Sequence, residues 1–213
     1  HCLRLQTPVV SVHRNPQYVL LKFANAPKQR FDRIVFATPA DQALRLLADA
    51  CLLERQTLSA FGYRNQTAIL HRDPVRPSTR NERAVTWDYR LPADASASIS
   101  LSYHLNPFQS GEIPFPLRLT LGDASHLDPQ HILQRLEWRR PHVTIDTLVA
   151  QRNFAAINGR YRSYYCGAYW GHGFHEDAVR SAEQVADAIE AAAHHSMPSM
   201  PMPSATPEIV TNG

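Results

Sequence analysis

The chain has 213 residues, of which 44% are apolar and 19% charged. That suffices for one large domain or two small ones and excludes a wholly disordered chain. No window approaches the roughly eighteen uninterrupted apolar residues of a membrane-spanning helix, and no basic-then-apolar leader is visible. The formal net charge of +3 comes from scattered arginines rather than a basic stripe interleaved with aromatics, so nucleic-acid binding has no support.

Cys2, Cys51 and Cys166 are odd in number and far apart. They form neither a disulfide framework nor a CxxC metal pair, which points to a reducing, cytoplasmic setting. The sequence opens on His1-Cys2-Leu3 rather than Met, which reads as a start further upstream.

Taken in chain order, Val9 to Val12 and Tyr18 to Phe23 flank Asn15-Pro16 and predict a hairpin. Phe31 to Phe36 is a short apolar run typical of a buried strand. Thr38 and Pro39 then carry an N-cap and first-turn signal for a helix over Ala40 to Ala50. A second short helix is expected over Leu52 to Leu58. Ala68 to Leu70, Val85 to Tyr89, Ile99 to Tyr103 and Leu117 to Leu121 predict strands of an antiparallel or mixed sheet. Asp128-Pro129 repeats the cap signal and predicts a helix with Ile132, Leu133 and Leu136 on one face. Ile145 to Phe154 also reads as helical. Tyr164 to Cys166 is a short strand, Gly167 to Gly173 a glycine loop, and Glu176 to Ala192 a helix. Its expected apolar stripe is Val179, Val185, Ala186 and Ile189. Residues 194–213 hold too little apolar pattern to fold and read as a disordered tail.

The segment Cys166-Gly-Ala-Tyr-Trp-Gly-His-Gly-Phe-His-Glu-Asp is the richest in chemistry. Strand, glycine loop and helix start together present free N–H groups and a positive dipole end to an anion or an electron-rich carbonyl. Gly171-His172-Gly173-Phe174-His175-Glu176 nearly matches GxGxxG. No strand follows the helix, however, so it does not open a dinucleotide-binding unit. An ordinary strand-to-helix turn explains the same residues. His172, His175 and Cys166 are zinc-ligand types, but no second ligand pair stands at metal spacing, so no metal is expected and capping or packing fits them better. No GxSxG elbow and no GxxxxGK[ST] loop is present. Trp87, Tyr89, Tyr103 and Phe108 suit either an apolar pocket or plain core packing.

Three segments carry a resemblance: Thr7-Pro8-Val9-Val10-Ser11-Val12, the run from Phe31 to Ala37-Thr38-Pro39, and Cys166 to Asp177. In this order the chain resembles the second half of an FAD-dependent amine-oxidase-type flavoprotein, nearest to a bacterial group of predicted NAD/FAD-binding proteins. Thr86-Trp87-Asp88-Tyr89, Ser102-Tyr103-His104-Leu105-Asn106 and Leu119-Thr120-Leu121 also fall in that group's order. The resemblance implies FAD as cofactor. Val9 would offer its backbone to adenine. Ala37, Thr38 and Pro39 would lie near ribose and phosphates, and Gly167 and Ala168 near the ribitol-phosphate. Gly173, Phe174 and His175 would bring N–H groups to the flavin's pyrimidine edge.

The resemblance also has departures. The usual opening strand–GxGxxG–helix is lacking, so the chain is expected to be a C-terminal part with a separate N-terminal half as a partner. Arg64 to Ala68 holds no lysine where many amine oxidases place one, Ala168 stands in place of an acid, and Ala178 in place of a glycine. The implied fold is α/β: the C-terminal part of a Rossmann-like FAD domain (1–60 and 155–193) with a mixed-sheet substrate domain (61–154). An unprotected sheet edge is expected with it. The implied activity is an oxidoreductase acting on a small, lipid-like molecule, and no residue is assigned as acid or base. A non-catalytic binding module that has lost its cofactor is the alternative.

Overall fold

The computed structural model describes residues 3–72, 86–91 and 99–194. Cys2, Val85 and the expected tail from residue 195 onward lie outside the described residues. The chain forms two compact units, His1–Gly62 with Pro141–Gly213, and Tyr63–Arg140. The architecture is mixed α/β.

In the first unit, β1 (Val9–Arg14), β2 (Val19–Phe23) and β3 (Gln29–Phe31) form an antiparallel meander. The first turn is built by Asn15, whose Oδ1 accepts from the N–H groups of Gln17 and Tyr18 at 2.8 Å each. This is the asparagine turn chemistry expected before a hairpin return.

The run from Phe31 to Phe36 is not one strand. Phe31 ends β3, and β4 (Ile34–Phe36) begins a different sheet, paired parallel with β10 (Ser163–Tyr165). Apolar residues on both sides of Asp32-Arg33 hide the change, because two short buried strands and one longer one look alike in hydrophobicity.

Helix α1 spans Ala40–Leu46. The predicted cap is corrected: Pro39 occupies the N-cap position and no side chain caps the helix. The helix also ends before Ala50, because Leu47 turns extended and bridges to Val12, and the Ala48 N–H donates to the Val12 carbonyl at 3.0 Å. Pairing with β1 outcompetes helical propensity there.

Helix α2 (Leu52–Ser59) falls where expected, whereas the single helix expected over Ile145 to Phe154 is two, α3 (Ile145–Gln151) and α4 (Phe154–Ile157). Helix α5 spans His175–His194. Its buried face is rotated from the predicted stripe: Asp177, Ser181 and Val185 are buried at successive i, i+4 positions, whereas Val179 is 51% exposed and Ala186 is exposed. Val185 packs with Tyr164 and Cys166, backed by Phe154, Ala188 and Ile189.

The second unit is a five-stranded sheet in the order β6-β7-β8-β5-β9. Its strands are β5 (Gly62–His71), β6 (Trp87–Arg90), β7 (Ser100–His104), β8 (Arg118–Gly122) and β9 (Ile132–His142). The neighbours β6/β7, β7/β8 and β8/β5 run antiparallel. The helix expected after Asp128-Pro129 is a single 3-10 turn, Pro129–His131, and Ile132, Leu133 and Leu136 belong to β9. The cap itself forms, with Asp128 Oδ1 accepting the Gln130 N–H at 2.9 Å. The chain then leaves the turn because the Arg72 N–H donates to the His131 carbonyl at 2.9 Å and draws the next residues into the sheet.

Candidate functional site

The first unit is held by a buried charge cluster. Arg14 ends β1, Glu54 lies on α2, and both side chains are fully shielded from solvent. The guanidinium donates to both carboxylate oxygens, at 2.5 and 2.9 Å. Asp49 accepts from the Arg14 Nε at 2.8 Å, and the Tyr165 hydroxyl donates to Glu54 Oε1 at 2.6 Å. Burial by itself would push the Glu54 carboxyl up. The hydrogen bond and charge of Arg14 outweigh it and hold Glu54 below the ordinary carboxylate range. Burial, reinforced by the Glu54 charge, pushes the Tyr165 hydroxyl well up. The Tyr165 ring lies flat on Phe36, with centroids 5.2 Å apart and planes 7° apart. One cluster thus sets β1, α2, β10 and β4 at fixed spacing.

Above β4 lies a cleft of about 400 Å³. Val9 from β1, Ile34 through Thr38, and Gln42, Arg45 and Leu46 from α1 line it. Val9, Ala37 and Thr38, three of the residues expected to contact a nucleotide, therefore meet in one place. Pro39 flanks it at the start of α1. The Thr38 hydroxyl is buried without a hydrogen-bond partner among the described residues. Such a group is costly unless something else satisfies it.

The glycine loop follows the neighbouring strand. The Cys166 N–H donates to the Phe36 carbonyl at 3.0 Å, so Gly167 leaves β10 beside the point where Ala37 leaves β4. Gly167 has φ +151°, and a Cβ there would meet the Tyr169 ring at 2.7 Å. The loop is pinned rather than slack. The Gly167 N–H donates to Ser181 Oγ at 2.9 Å, and Gln151 Nε2 donates to the carbonyls of Tyr169 and Gly171 at 2.9 and 2.7 Å. Phe61, Tyr169, Trp170 and Phe154 stack edge-on or tilted, with centroids 4.9–5.2 Å apart.

At the head of α5, Asp177 Oδ2 accepts the N–H groups of His172 and Phe174, each at 3.0 Å. These bonds, the Phe174 one foremost, hold the Asp177 carboxyl below its usual range. The Phe174 N–H is therefore occupied within the chain. Gly173, at φ +93°, faces open space, and among the described residues neither its N–H nor that of His175 meets an acceptor. Ala168 opens the 3-10 turn Ala168–Trp170. The His172 and His175 side chains are exposed, and among the described residues no group of three or more His, Cys, Asp or Glu could hold a metal. Burial raises the Cys166 thiol, which makes it a poor nucleophile.

Sequence reasoning missed two polar networks, the Arg14 cluster and a ladder in the second unit. There, buried Thr120 on β8 contacts His71 Nε2 at 2.8 Å and Ser102 Oγ at 2.7 Å. His71, Ser102 and Thr120 are all at most 2% exposed. No local pattern announces either network, because their members come from different elements. Trp87, Tyr89 and Phe108 are 52–67% exposed, so they are not core residues. The Trp87 and Tyr89 rings sit 5.6 Å apart on one face of β6. Among the described residues no helix is long and apolar enough to cross a membrane.

No protein-family model and no curated protein matches the chain. Solved structures do share its fold. A CLA-producing fatty acid isomerase from P. acnes matches with TM-score 0.60 at 15% identity, over 85% of this chain and 47% of its own. Wild-type putrescine oxidase bound to putrescine matches with TM-score 0.58 at 12% identity, over 86% and 48%. Reduced UDP-galactopyranose mutase matches with TM-score 0.57 at 12% identity, over 87% and 47%. The chain spans about half the length of each. At these identities the likeness is one of fold: the chain has the mixed α/β fold of part of these enzymes.

Proposed function

We propose that the chain belongs to an FAD-dependent oxidoreductase and supplies part of its cofactor site. The observation that carries this reading is the meeting of Val9, Ala37 and Thr38, distant in sequence, in one cleft beside the strand that leads to Gly167. The fold shared with three enzymes supports it. The residues fit such a group: among the described residues the Thr38 hydroxyl lacks a partner, and the Gly173 and His175 N–H groups at the head of α5 lack an acceptor.

In this reading Val9 holds the adenine through its backbone, and Ala37, Thr38 and Pro39 border the ribose and phosphates. Gly167 and Ala168 pass the ribitol-phosphate. Gly173 and His175 donate at the flavin's pyrimidine edge, while Phe174 shields it and gives its own N–H to Asp177. The bound flavin would supply the two-electron chemistry. The start of α5 favours negative charge by about 0.3–1 kcal/mol if exposed. The first unit is then the cofactor side, and the second the substrate side. No side chain is assigned as acid or base.

The substrate class we favour is lipid-like. The fatty acid isomerase among the structural neighbours and the exposed Trp87–Tyr89 surface support it. Oleate should shift tryptophan emission where putrescine does not; equal responses would remove this preference.

The test of the main reading is the visible spectrum of the purified chain after mixing with FAD and desalting. A retained flavin spectrum, lost in Gly173→Val with α5 helicity intact, is expected. Retention indifferent to Gly173 would overturn the reading, and a colourless protein would mean that this chain alone holds too little of the site.

A further inference from the structure

The sheet of the second unit wears its faces in reverse. Cross-strand partners share a face. The registers therefore set Leu70, Leu119, Tyr103 and Trp87 in one row on one face, and Ser102 and Thr120 on the other. The polar face is buried, with Ser102 and Thr120 at most 2% exposed. The apolar row is half-buried at Leu70, Leu119 and Tyr103 and 52% exposed at Trp87. One-sided sheets normally turn the apolar face inward, and an open apolar surface marks a binding site.

Two arginines stand on that open face. Arg140 on β9 donates to Gln66 Oε1 on β5 at 3.2 Å. On the opposite face Thr67 donates to Glu137 at 2.7 Å and Arg139 lies over the Tyr63 ring. Alternation then puts Arg64 with Gln66, and Trp138 with Arg140, on the face of Leu70. Both arginines are exposed, and among the described residues neither forms an ion pair. The carboxylates of the five strands, Asp88 and Glu137, belong to the other face: Asp88 is the cross-strand partner of Ser102, and Glu137 bonds to Thr67. Like charges side by side on neighbouring strands oppose each other, and an anion between them removes the conflict.

We propose that this face is a carboxylate site for a free long-chain fatty-acid anion: Arg64 and Arg140 hold the carboxylate, and the apolar surface between Trp138 and Trp87 carries the chain. Guanidinium groups match a planar carboxylate in charge and in hydrogen-bond geometry. From β9 to β6 the face crosses four strand spacings, about 19 Å, the scale of an extended long acyl chain. An anionic bilayer fits less well, because such docking draws on a cluster of several basic residues and this face presents two. The apolar chain rests on the lipid-like reading of the second unit given above, and the arginines add the charge of its head. No flavin is needed.

The probes are dibromostearate and its methyl ester, whose bromines quench tryptophan on contact, each titrated into the full chain below its micelle concentration. Dibromostearate is expected to quench, and to bind about tenfold or more tighter than the ester. Arg64→Gln and Arg140→Gln should each weaken the acid by about tenfold and leave the ester unmoved, with Arg64→Lys restoring part of the loss. Both side chains are exposed, and unchanged far-ultraviolet dichroism reports that the variants are folded. The double variant Trp87→Phe, Trp138→Phe should lose most of the quenching. Equal affinity for acid and ester, or glutamine variants that bind the acid as the parent does, would overturn the arginine site and leave the lipid-like reading in place. Quenching by neither probe would overturn both. Quenching that survives in the double tryptophan variant would put the chain elsewhere and sink the proposal. So would quenching by brominated phosphatidylglycerol vesicles where the free acid gives none, because the occupant would then be a bilayer.

Discussion

The two units bury polar groups in opposite ways. In the first, a full charge pair, Arg14 and Glu54, sits at zero exposure and recruits Asp49 and Tyr165. Its bonds span 35, 40 and 111 residues of sequence. In the second, the buried contacts run from His71 to Thr120 to Ser102, and they stay within one sheet. The difference teaches where each unit's cohesion comes from. The second unit is a sheet whose main-chain ladders already set its geometry. The first joins pieces from both ends of the sequence, which no main-chain ladder spans completely. A buried ion pair costs desolvation and is weak evidence for net stability, but it has a narrow geometric optimum and severe consequences when broken. It therefore suits the work of fixing relative position.

The largest expected effect breaks that comparison on its charged side. Glu54→Ala leaves the buried Arg14 charge without its bidentate carboxylate partner, and should cost about 3–5 kcal/mol in urea unfolding of the full chain. A loss below about 1 kcal/mol would mean that the pair does not hold the first unit together. Next, Tyr165→Phe removes one hydrogen bond to a charged acceptor and should cost about 1.5–3 kcal/mol, read from the same transition. It should also loosen the ring against Phe36, visible in near-ultraviolet dichroism.

In the second unit, Thr120→Val deletes the shared hydroxyl at constant shape and should cost about 1–3 kcal/mol. The effect should be local, with exchange slowed less at β7 and β8 than in the parent and the β4–β10 amides unmoved.

The pH response sharpens the contrast further. Glu54 is held below the ordinary carboxylate range in the folded chain, so its contribution is present above that range and is lost as pH falls through the depressed folded value. Tyr165 is shifted upward, so its contribution is present below the ordinary tyrosine range and is lost as pH rises through the folded value. Acid should therefore release the first unit's amides, and Glu54→Gln should flatten that acid limb. An unaltered limb would assign acid sensitivity to other carboxylates. The smallest effect is expected from Ser100→Ala. Its hydroxyl is buried without a partner among the described residues, so removing it should leave stability unchanged or raise it by up to about 1 kcal/mol.

Much of the fold was legible. The β1–β2 hairpin, helices α2 and α3, most strands of the second sheet and the strand–glycine loop–helix at Tyr164 to His194 follow from turn residues, caps and periodicity. The failures share a cause. Asp128-Pro129 signals a cap and does cap a turn, yet the residues after it pair with β5. Thr38 and Pro39 look like cap and first turn, but Thr38 faces the cleft and Pro39 takes the cap position. Propensity for helix or strand differs by at most about 1 kcal/mol per residue, and a few tertiary hydrogen bonds exceed that.

The candidate site divides along the same line. The types of residue that approach a nucleotide or flavin (Val9 after Pro8, the Ala37-Thr38-Pro39 turn, the glycines near α5) stand in the sequence as local motifs. Local motifs persist because turn, cap and glycine chemistry act within a few residues. Their meeting in one cleft, the occupation of the Phe174 N–H by Asp177 and the buried Arg14–Glu54 pair belong to tertiary structure alone. Each depends on groups far apart in the chain. Their juxtaposition comes from how packed elements share burial and hydrogen bonds, which no window of sequence contains.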